Sequence, residues 1–398
     1  MIKKVNSIIS ASWIFTADKN NTLLEDHSIV ILEDEILDIL PTKNVFDGYE
    51  ANEVFALSEH IIMPGFINNH THAAMSLLKG FANDVPLKSW LEDYIWPAEK
   101  EYVSEAFVKD GSLIAIAEMI KSGTTTFNDM YFYPNQTAEA AVEMGIRANI
   151  GLVVMEFPTN YASDPDDYLK KGLDFRDQWR GDGLISTSLA PHAPYTTSDK
   201  TLNTIGTYAD QLNMTIHTHL HETKEEVENS INQYKATPIQ RYKSLGLLGP
   251  NLMAAHCTHV DESDLNLLHQ NNVNVVHNPS SNLILGSGIA DISKMLDLGI
   301  NVSIGTDSSA SNNRLDVLEE VRLAALLGKG LNHRPEILDS KNVFKMATYN
   351  AAKAMNKSKM IGSIEPNKKA DIVAINLDSI FSQPVYNPLT SLLYNGNQ

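Results

Sequence analysis

The chain has 398 residues, of which 43% are hydrophobic and 20% charged, so it can bury a large core and is not a disordered protein. Its 49 acidic against 31 basic residues give a formal net charge of −18, which makes nucleic acid and anionic membranes poor partners. Cys257 is the single cysteine, so an intrachain disulfide is excluded and a reducing, cytoplasmic location is predicted. The N-terminal residues make a poor signal peptide, and without a run of about 18 apolar residues no membrane span is expected.

Residues 1–60 are predicted to be β structure. Ile8–Thr16 is rich in branched and aromatic residues, and Ser28–Leu32 and Ile36–Leu40 flank an acidic turn, which indicates a hairpin. A further strand is predicted far along the chain, at Ala370–Leu377. We expect it to return to the N-terminal β region, so that residues 1–60 and 362–398 together form one small β domain.

Between these ends, over residues 61–361, short apolar runs alternate with helical patterns such as Ser104–Lys121. Strands that alternate with helices predict a parallel sheet with right-handed crossovers, and eight strands are the number that closes a barrel. An open doubly wound sheet is the alternative, but no glycine-rich phosphate loop follows any of the runs. We therefore predict an α/β fold with a (β/α)8 barrel. The eight runs are Ile61–Asn68, Thr124–Asn128, Arg147–Met155, Leu184–Ala190, Met214–His219, Leu252–His256, Val273–His277 and Asn301–Gly305.

Polar residues follow six of the eight predicted strands, at the carboxyl ends where barrel enzymes carry their chemistry. Barrel closure is expected to bring these residues to one mouth, although they are far apart in sequence. In chain order they are His70 and His72, His192, His219 and Glu222, His256, His277, and Asp307.

Two of these histidines suggest a metal site. His70 and His72 are two residues apart on a strand, so both side chains point to one face and can bind one ion. His219 and Asp307 would complete a set of three imidazoles and a carboxylate. Nitrogen and oxygen ligands without thiolate suit Zn²⁺, and also Fe²⁺ or Mn²⁺. The fourth strand, Leu184–Ala190, contains no lysine that could be carbamylated to bridge two ions, so one divalent metal ion is predicted.

The motifs taken together resemble the amidohydrolase superfamily, and within it the 5-methylthioadenosine/S-adenosylhomocysteine deaminase family. The resemblance runs from about Ile61 to Leu377, and its segments in this order are specific. They are Pro64–His72, Trp90–Glu99, Pro191–Tyr195, His219–Glu222, Ala255–Cys257, His277–Leu283 and Gly305–Asp307.

The resemblance implies an enzyme, a metal-dependent aminohydrolase that deaminates an adenine nucleoside. It implies substrate contacts at Glu99 and His192, with Glu99 accepting hydrogen bonds from ribose hydroxyls. Glu222 would protonate N1 of adenine, His256 would lie beside the attacking water, and Asp307 would be both ligand and base. It also implies a small β-sandwich at the chain ends, and a homo-oligomer, which is common in the superfamily. The implied metal ligands are His70, His72, His219 and Asp307.

Several histidines and tryptophans have plainer interpretations. On the fifth strand, His217, His219 and His221 share a face, and both the spacing to Glu222 and the resemblance select His219 as the ligand. His217 is interpreted as a buried structural histidine, and His221 as a rim residue or a support for the ligands. His277 fits a loop-fixing role and a substrate role equally well. Trp90 and Trp96 are assigned to the core.

Two departures from the family pattern matter. Relatives that accept S-adenosylhomocysteine can carry arginines after the third strand, but Gly151–Asn160 has none and three aspartates follow. We therefore rank 5′-methylthioadenosine above S-adenosylhomocysteine, 5′-deoxyadenosine and adenosine. The chain also stops at Gln398, before the further sandwich strands usual in the family, which predicts a truncated small domain with an unpaired sheet edge.

Two other functions compete with this one. A deaminase or dechlorinase of a free heterocycle, such as guanine or an s-triazine, could use the same metal centre. A non-catalytic scaffold of the same fold should lack the ligands, and all four are present.

Overall fold

The computed structural model describes residues 2–396 and contains thirteen strands in two sheets. The strands are β1 (Lys3–Phe15), β2 (Leu23–Leu32), β3 (Glu35–Pro41), β4 (Tyr49–Pro64), β5 (Phe66–Thr71), β6 (Thr124–Tyr131), β7 (Arg147–Val154), β8 (Ile185–Pro191), β9 (Ile216–Leu220), β10 (Leu252–His256), β11 (Asn274–His277), β12 (Asn301–Ile304) and β13 (Ile372–Asn376). The eight-stranded sheet runs consecutively from β5 to β12, and the five-stranded sheet has the order β13-β4-β1-β2-β3.

Helices fill the intervals between the barrel strands, and several of them begin at capping residues. Ser198, for example, accepts a hydrogen bond from the backbone of Thr201, and Thr237 forms a capping box with Gln240. Within residues 2–396, no helix combines the length and apolar character needed to span a membrane. The α-helices are Val45–Gly48, Leu87–Ser89, Trp96–Tyr102, Glu105–Lys121, Pro134–Met144, Pro165–Gln178, Asp199–Leu212, Lys224–Tyr234, Pro238–Ser244, Glu262–Gln270, Pro279–Ile284, Ile292–Asp297, Ser309–Asn312, Val317–Asn332, Ser340–Met346, Tyr349–Ala354 and Pro388–Asn395. Short 3-10 helices span Thr42–Asn44 and Ala73–Leu78, and a π-helix spans Trp90–Ile95.

Strands β5 to β12 are parallel and almost wholly buried, because helices cover the outer face of the sheet. β12 and β5 lie at the two ends of the row and meet to close the barrel. Their junction is held by the Asp307 backbone N–H, which donates to the His70 carbonyl at 2.9 Å, and by the Thr306 N–H, which donates to Asn68 Oδ1 at 2.9 Å. The predicted (β/α)8 barrel is therefore confirmed.

The apolar run predicted as the first barrel strand divides at Gly65. Residues up to Pro64 end β4, which pairs with β1 and β13 in the other sheet, and β5 begins at Phe66. A Cβ atom at Gly65 would clash with the side chain of Thr125, so the chain can pass here only as glycine. One continuous apolar segment therefore serves both sheets.

The C-terminal segment also contributes to both the five-stranded sheet and the barrel. β13 joins the five-stranded sheet, and Asp371 just before it pairs with Arg147 at the start of β7, with Nε and Oδ2 2.6 Å apart. The final helix, Pro388–Asn395, instead packs its leucines against the barrel helices Val317–Asn332 and Ser340–Met346. In residues 2–396 the chain ends thus form one mixed sheet, and we propose that this sheet is the core of the small domain predicted for residues 1–60 and 362–398.

Candidate metal centre and active site

Four side chains meet at the carboxyl ends of the barrel strands. His70 lies in β5 and His72 directly after it, His219 lies in β9, and Asp307 follows β12. One potential ligand atom from each residue can be chosen so that all four lie within 4.8 Å of one another. The structure therefore brings together the four residues that the sequence predicts as metal ligands.

The spacing within this cluster suits one ion. His72 Nε2 lies 3.2 Å from His219 Nε2, and Asp307 Oδ1 lies 3.4 Å from His70 Nε2 and 3.2 Å from His72 Nε2. Ligands at about 2.0–2.1 Å from a tetrahedral ion are separated by about 3.3–3.4 Å. These three distances match that separation, and all four atoms lie within 4.8 Å of one another.

The outer nitrogens of the imidazoles are held in the orientation that metal binding needs. His72 Nδ1 donates to the Met130 carbonyl and His219 Nδ1 to the His192 carbonyl, both at 2.6 Å, so each Nε2 turns its lone pair inward. His70 Nδ1 lies 2.8 Å from His217 Nε2, while the buried His70 Nε2 has no hydrogen-bond partner among the described residues. A buried nitrogen without a partner is rare, and a cation would satisfy it. These residues fit a single divalent metal ion.

Asp307 is supported by hydroxyl groups that the sequence did not point to. Its Oδ2 accepts hydrogen bonds from Ser281 Oγ at 2.6 Å and Ser311 Oγ at 3.2 Å. Burial alone would raise the pKa of Asp307, but the neighbouring imidazoles of His70 and His72 hold it well below its usual value. Ser281 lies inside the His277–Leu283 motif, so the motif was visible although the role of the serine was not.

Glu222 and His256 face the same pocket. Glu222 Oε2 lies 3.8 Å from His256 Nε2, and burial raises the pKa of the Glu222 carboxyl. The backbone N–H of Glu222 donates to Glu226 Oε2 at 2.8 Å, and Thr258 Oγ1 donates to its carbonyl at 2.6 Å. His256 Nδ1 lies 2.7 Å from Asn282 Oδ1. The backbone of Glu222 and the ring of His256 are therefore held beside the four-residue cluster.

Glu99 and His192 also line this pocket. Glu99 lies on the helix Trp96–Tyr102 and accepts a hydrogen bond from the Tyr131 hydroxyl at 2.7 Å. Burial raises the pKa of Glu99 to about 7. The His192 ring lies 4.8 Å from that of His219, and burial lowers the pKa of His192 to about 3, so the imidazole is neutral near pH 7.

The rest of the pocket is apolar. Trp90 and Trp96, which the sequence assigns to the core, line the cavity as well. Among the described residues, the pocket lining contains no lysine or arginine. The apolar lining residues are Met75, Leu87, Trp90, Leu91, Ile95, Trp96, Met130, Phe132, Val153, Met155 and Leu285.

Two further histidines near β9 lie outside the ligand set. His217 is fully buried between His70 and Asn128, so its interpretation as a buried structural histidine is confirmed. His221 is also buried; its Nδ1 donates to the His259 carbonyl at 2.7 Å and its Nε2 accepts from the Ile239 N–H at 3.1 Å. It is buried and not exposed at the rim, and its two ring nitrogens connect the loop after β10 with the helix Pro238–Ser244.

His277 was left open between a loop-fixing role and a substrate role. It is buried and does not belong to the pocket lining, and neither ring nitrogen has a hydrogen-bond partner within residues 2–396. Its carbonyl accepts a hydrogen bond from the Gly305 N–H at 3.0 Å. This position gives no support to direct substrate contact.

Comparison with known proteins agrees with this geometry. The model of the amidohydrolase family matches residues 61–398. The chain is 45% identical to a 5-methylthioadenosine/S-adenosylhomocysteine deaminase of Saccharophagus degradans, over 98% of this chain and 87% of that protein, and 42% identical to one of Teredinibacter turnerae, over 97% and 87%.

A solved structure is similar over nearly the whole chain. It is an adenosine deaminase from Xanthomonas campestris with bound zinc, with a TM-score of 0.97, 38% identity, and coverage of 99% of this chain and 90% of that one. The family match, the extent of these similarities and the cluster of four ligands agree with one another. The chain therefore belongs to the amidohydrolase family, and within it to the hydrolytic deaminases.

Proposed function

We propose that this deaminase converts 5′-methylthioadenosine to its inosine analogue and ammonia. S-adenosylhomocysteine, 5′-deoxyadenosine and adenosine are the other candidate substrates, in lower rank. The observation that carries the proposal is the placement of a buried carboxyl, Glu222, in one pocket with the cluster His70, His72, His219 and Asp307. An acid beside a metal site is what replacement of a ring amino group by water requires.

The proposed cofactor is one Zn²⁺ ion, with Fe²⁺ or Mn²⁺ as alternatives that accept the same nitrogen and oxygen ligands. His70, His72, His219 and Asp307 would hold it. When bound, such an ion supplies an attacking water whose pKa is lowered from about 16 to about 7.

The reaction proposed for this chain needs a proton donor to N1 of the ring and a proton acceptor for the attacking water. Burial raises the pKa of the Glu222 carboxyl and so favours its protonated form, and Glu222 donates that proton to N1 of adenine. Asp307 accepts the proton of the attacking water, and His256 holds the oxygen by a hydrogen bond. As the C–N bond breaks, the proton on Asp307 passes to the leaving nitrogen and ammonia departs, while the proton of the new hydroxyl at C6 returns to Glu222 as the carbonyl forms.

The substrate is proposed to bind through the two remaining polar residues and the apolar wall. Glu99 would accept hydrogen bonds from the ribose hydroxyls, and His192 would contact the base. The apolar lining suits a methylthio group, whereas an amino-acid carboxylate would find no lysine or arginine among the described lining residues. The absence of lysine and arginine from the described pocket lining is the reason for ranking 5′-methylthioadenosine first.

We further propose that the enzyme acts in the cytoplasm and forms a homo-oligomer, without nucleic-acid or membrane partners. A single buried cysteine, Cys257, fits a reducing compartment. The net charge of −18 would repel polyanions.

An ammonia-release screen with zinc supplied tests the function. The four nucleosides and guanine would be offered at equal concentration, and we expect the highest kcat/KM for 5′-methylthioadenosine. Ammonia from guanine but from none of the nucleosides would contradict the proposal and favour a deaminase of a free heterocycle. A protein that binds no metal and releases no ammonia would instead be a scaffold.

A further inference from the structure

One tyrosine at the mouth of the barrel has no role in the function proposed so far. Tyr131 is the last residue of β6, its side chain is 4% exposed, and it lines the pocket. Its hydroxyl donates to Glu99 Oε1 at 2.7 Å. Met130, the residue before it, accepts the hydrogen bond of the ligand His72. The end of β6 thus supports one side chain of the metal centre and one of the substrate pocket.

The bond to Tyr131 determines which oxygen of Glu99 is free. Glu99 lies on a separate helix and has a long side chain, so without an anchor its carboxyl could take several rotamers. Among the described residues, Tyr131 is the hydrogen-bond donor to this carboxyl, and it engages Oε1. The other oxygen, Oε2, remains available to a ligand in the pocket.

We propose that Tyr131 is a positioning residue that makes the enzyme selective for ribosyl substrates, by holding Glu99 with Oε2 directed to the ribose hydroxyls. This inference rests on the proposed nucleoside substrate. Tyr131 acts through Glu99 and takes no part in the reaction at the base, so its effect falls on substrate binding and selectivity.

The charge of Glu99 reinforces this role. Burial raises the pKa of Glu99 to about 7, and the hydrogen bond from Tyr131 and the nearby His72 act in the opposite direction. Burial and the charge of Glu99 in turn raise the pKa of Tyr131 well above its usual value, so the phenol keeps its proton. Removal of the phenol hydroxyl would leave more Glu99 protonated, and a protonated carboxyl is a poorer acceptor for a pair of hydroxyls.

The test compares Tyr131→Phe with the wild type on adenosine and 2′,3′-dideoxyadenosine, with zinc supplied. We expect the wild type to prefer adenosine, in kcat/KM, by about 10-fold to 100-fold, the range for hydrogen bonds to a charged group. In Tyr131→Phe the KM for adenosine should rise by about tenfold while its kcat and the kcat/KM for the dideoxynucleoside stay within about twofold. The preference would then fall by about tenfold.

Two further variants separate this role from general damage. Tyr133→Phe is the matched control, since the Tyr133 hydroxyl donates to the Asn160 carbonyl and not to Glu99; we expect no change in preference. In a Glu99→Gln background, Tyr131→Phe should have no further effect on the preference. Should Tyr131→Phe fail to fold, Glu99→Gln keeps the inference falsifiable, because a full preference for adenosine in that variant would show that Glu99 does not contact the ribose and that Tyr131 has nothing to position.

The outcomes distinguish this inference from the proposed function. If the wild type deaminates nucleosides and Tyr131→Phe keeps the full preference for adenosine, Tyr131 has no positioning role and the proposed function stands. An equal loss on adenosine and the dideoxynucleoside would show a purely structural role. If the wild type releases no ammonia from any nucleoside, both proposals are wrong.

Discussion

The pocket has a polar wall and an apolar wall, and different parts of the chain form them. The polar wall consists of imidazoles and carboxyls at the ends of barrel strands, and hydrogen bonds to neighbouring residues hold several of them, as Met130 holds His72 and Ser281 holds Asp307. The apolar wall comes largely from residues 73–102, the helical segment between β5 and β6, which also carries Glu99. Rigid strands thus position the chemistry, and a separate segment shapes the space for the substrate. Changes to the first wall should abolish turnover or metal binding, whereas changes to the second should alter selectivity.

The largest effect is expected at the polar wall from Glu222→Gln. The amide cannot donate a proton as the carboxyl does, so kcat should fall by about 10² to 10⁴. Zinc content, measured on the purified protein, should equal that of the wild type because Glu222 is outside the ligand set. Turnover close to that of the wild type would remove Glu222 from the proton-transfer role.

Ser281→Ala should act on the same wall through the metal. Loss of the 2.6 Å hydrogen bond leaves Asp307 Oδ2 with only the longer bond from Ser311, and support of this kind is worth about 10–100-fold in metal affinity. Competition with a chelator of known zinc affinity measures the change.

The matched control is Ser309→Ala, because Ser309 Oγ contacts Ser76 and not Asp307. It should bind zinc as the wild type does. Equal affinities in all three proteins would mean that Ser281 does not support the ligand.

Titration of Glu99, which lies between the polar and the apolar wall, should make ribose binding depend on pH. The pKa of Glu99 is raised to about 7, so the carboxylate exists above that pH and is protonated below it. Between about pH 8 and pH 6 the ionised fraction falls about tenfold, and the KM for adenosine should rise by up to that factor. The measurement is the KM of adenosine relative to that of 2′,3′-dideoxyadenosine, which cancels titration of the catalytic groups. A ratio independent of pH would contradict the role of Glu99.

The smallest effect is expected at the apolar wall from Leu87→Arg. Leu87 is partly exposed, so an arginine there can place its charge at the pocket mouth without burial. A charge pair at such a site is worth up to about 1 kcal/mol, or about fivefold in the preference for S-adenosylhomocysteine over 5′-methylthioadenosine. Leu87→Met is the uncharged control, and kcat/KM for both substrates should be measured in each protein. An unchanged ratio in Leu87→Arg would mean that the amino-acid tail lies elsewhere.

The barrel and its ligand cluster could be predicted because both leave local marks in the sequence. Eight apolar runs indicate the strands, and the ligand residues come at or just after their ends, as His219 does in β9 and Asp307 after β12. The break at Gly65 left no such mark, because the apolar run continues across it, and the closeness of Thr125, which leaves no space for a Cβ atom at residue 65, is visible only in the structure. Local periodicity likewise could not show that the helix Pro388–Asn395 packs on the barrel.

The supporting residues were missed for a related reason. Ser281 contacts Asp307 and Tyr131 contacts Glu99 across 26 and 32 positions of the sequence, and serine and tyrosine are common enough that neither stands out. His217 was noticed only because it shares a strand face with His219, and its contact with His70 spans 147 positions. The catalytic and binding roles of Glu222, His256, Glu99 and His192 stay predictions until the variants are measured.

The position of the proposed ion at the junction between β12 and β5 means that it would also stabilise the closed barrel. The barrel closes at this junction, and each of the two strands contributes ligands. His70 and His72 come from β5 and its end, and Asp307 follows β12. An ion bound there would link β5 to the segment that follows β12. Stripping it should loosen the backbone amides of this edge before those of the remaining strands, so that hydrogen exchange reports metal loss first at Asp307 and its neighbours.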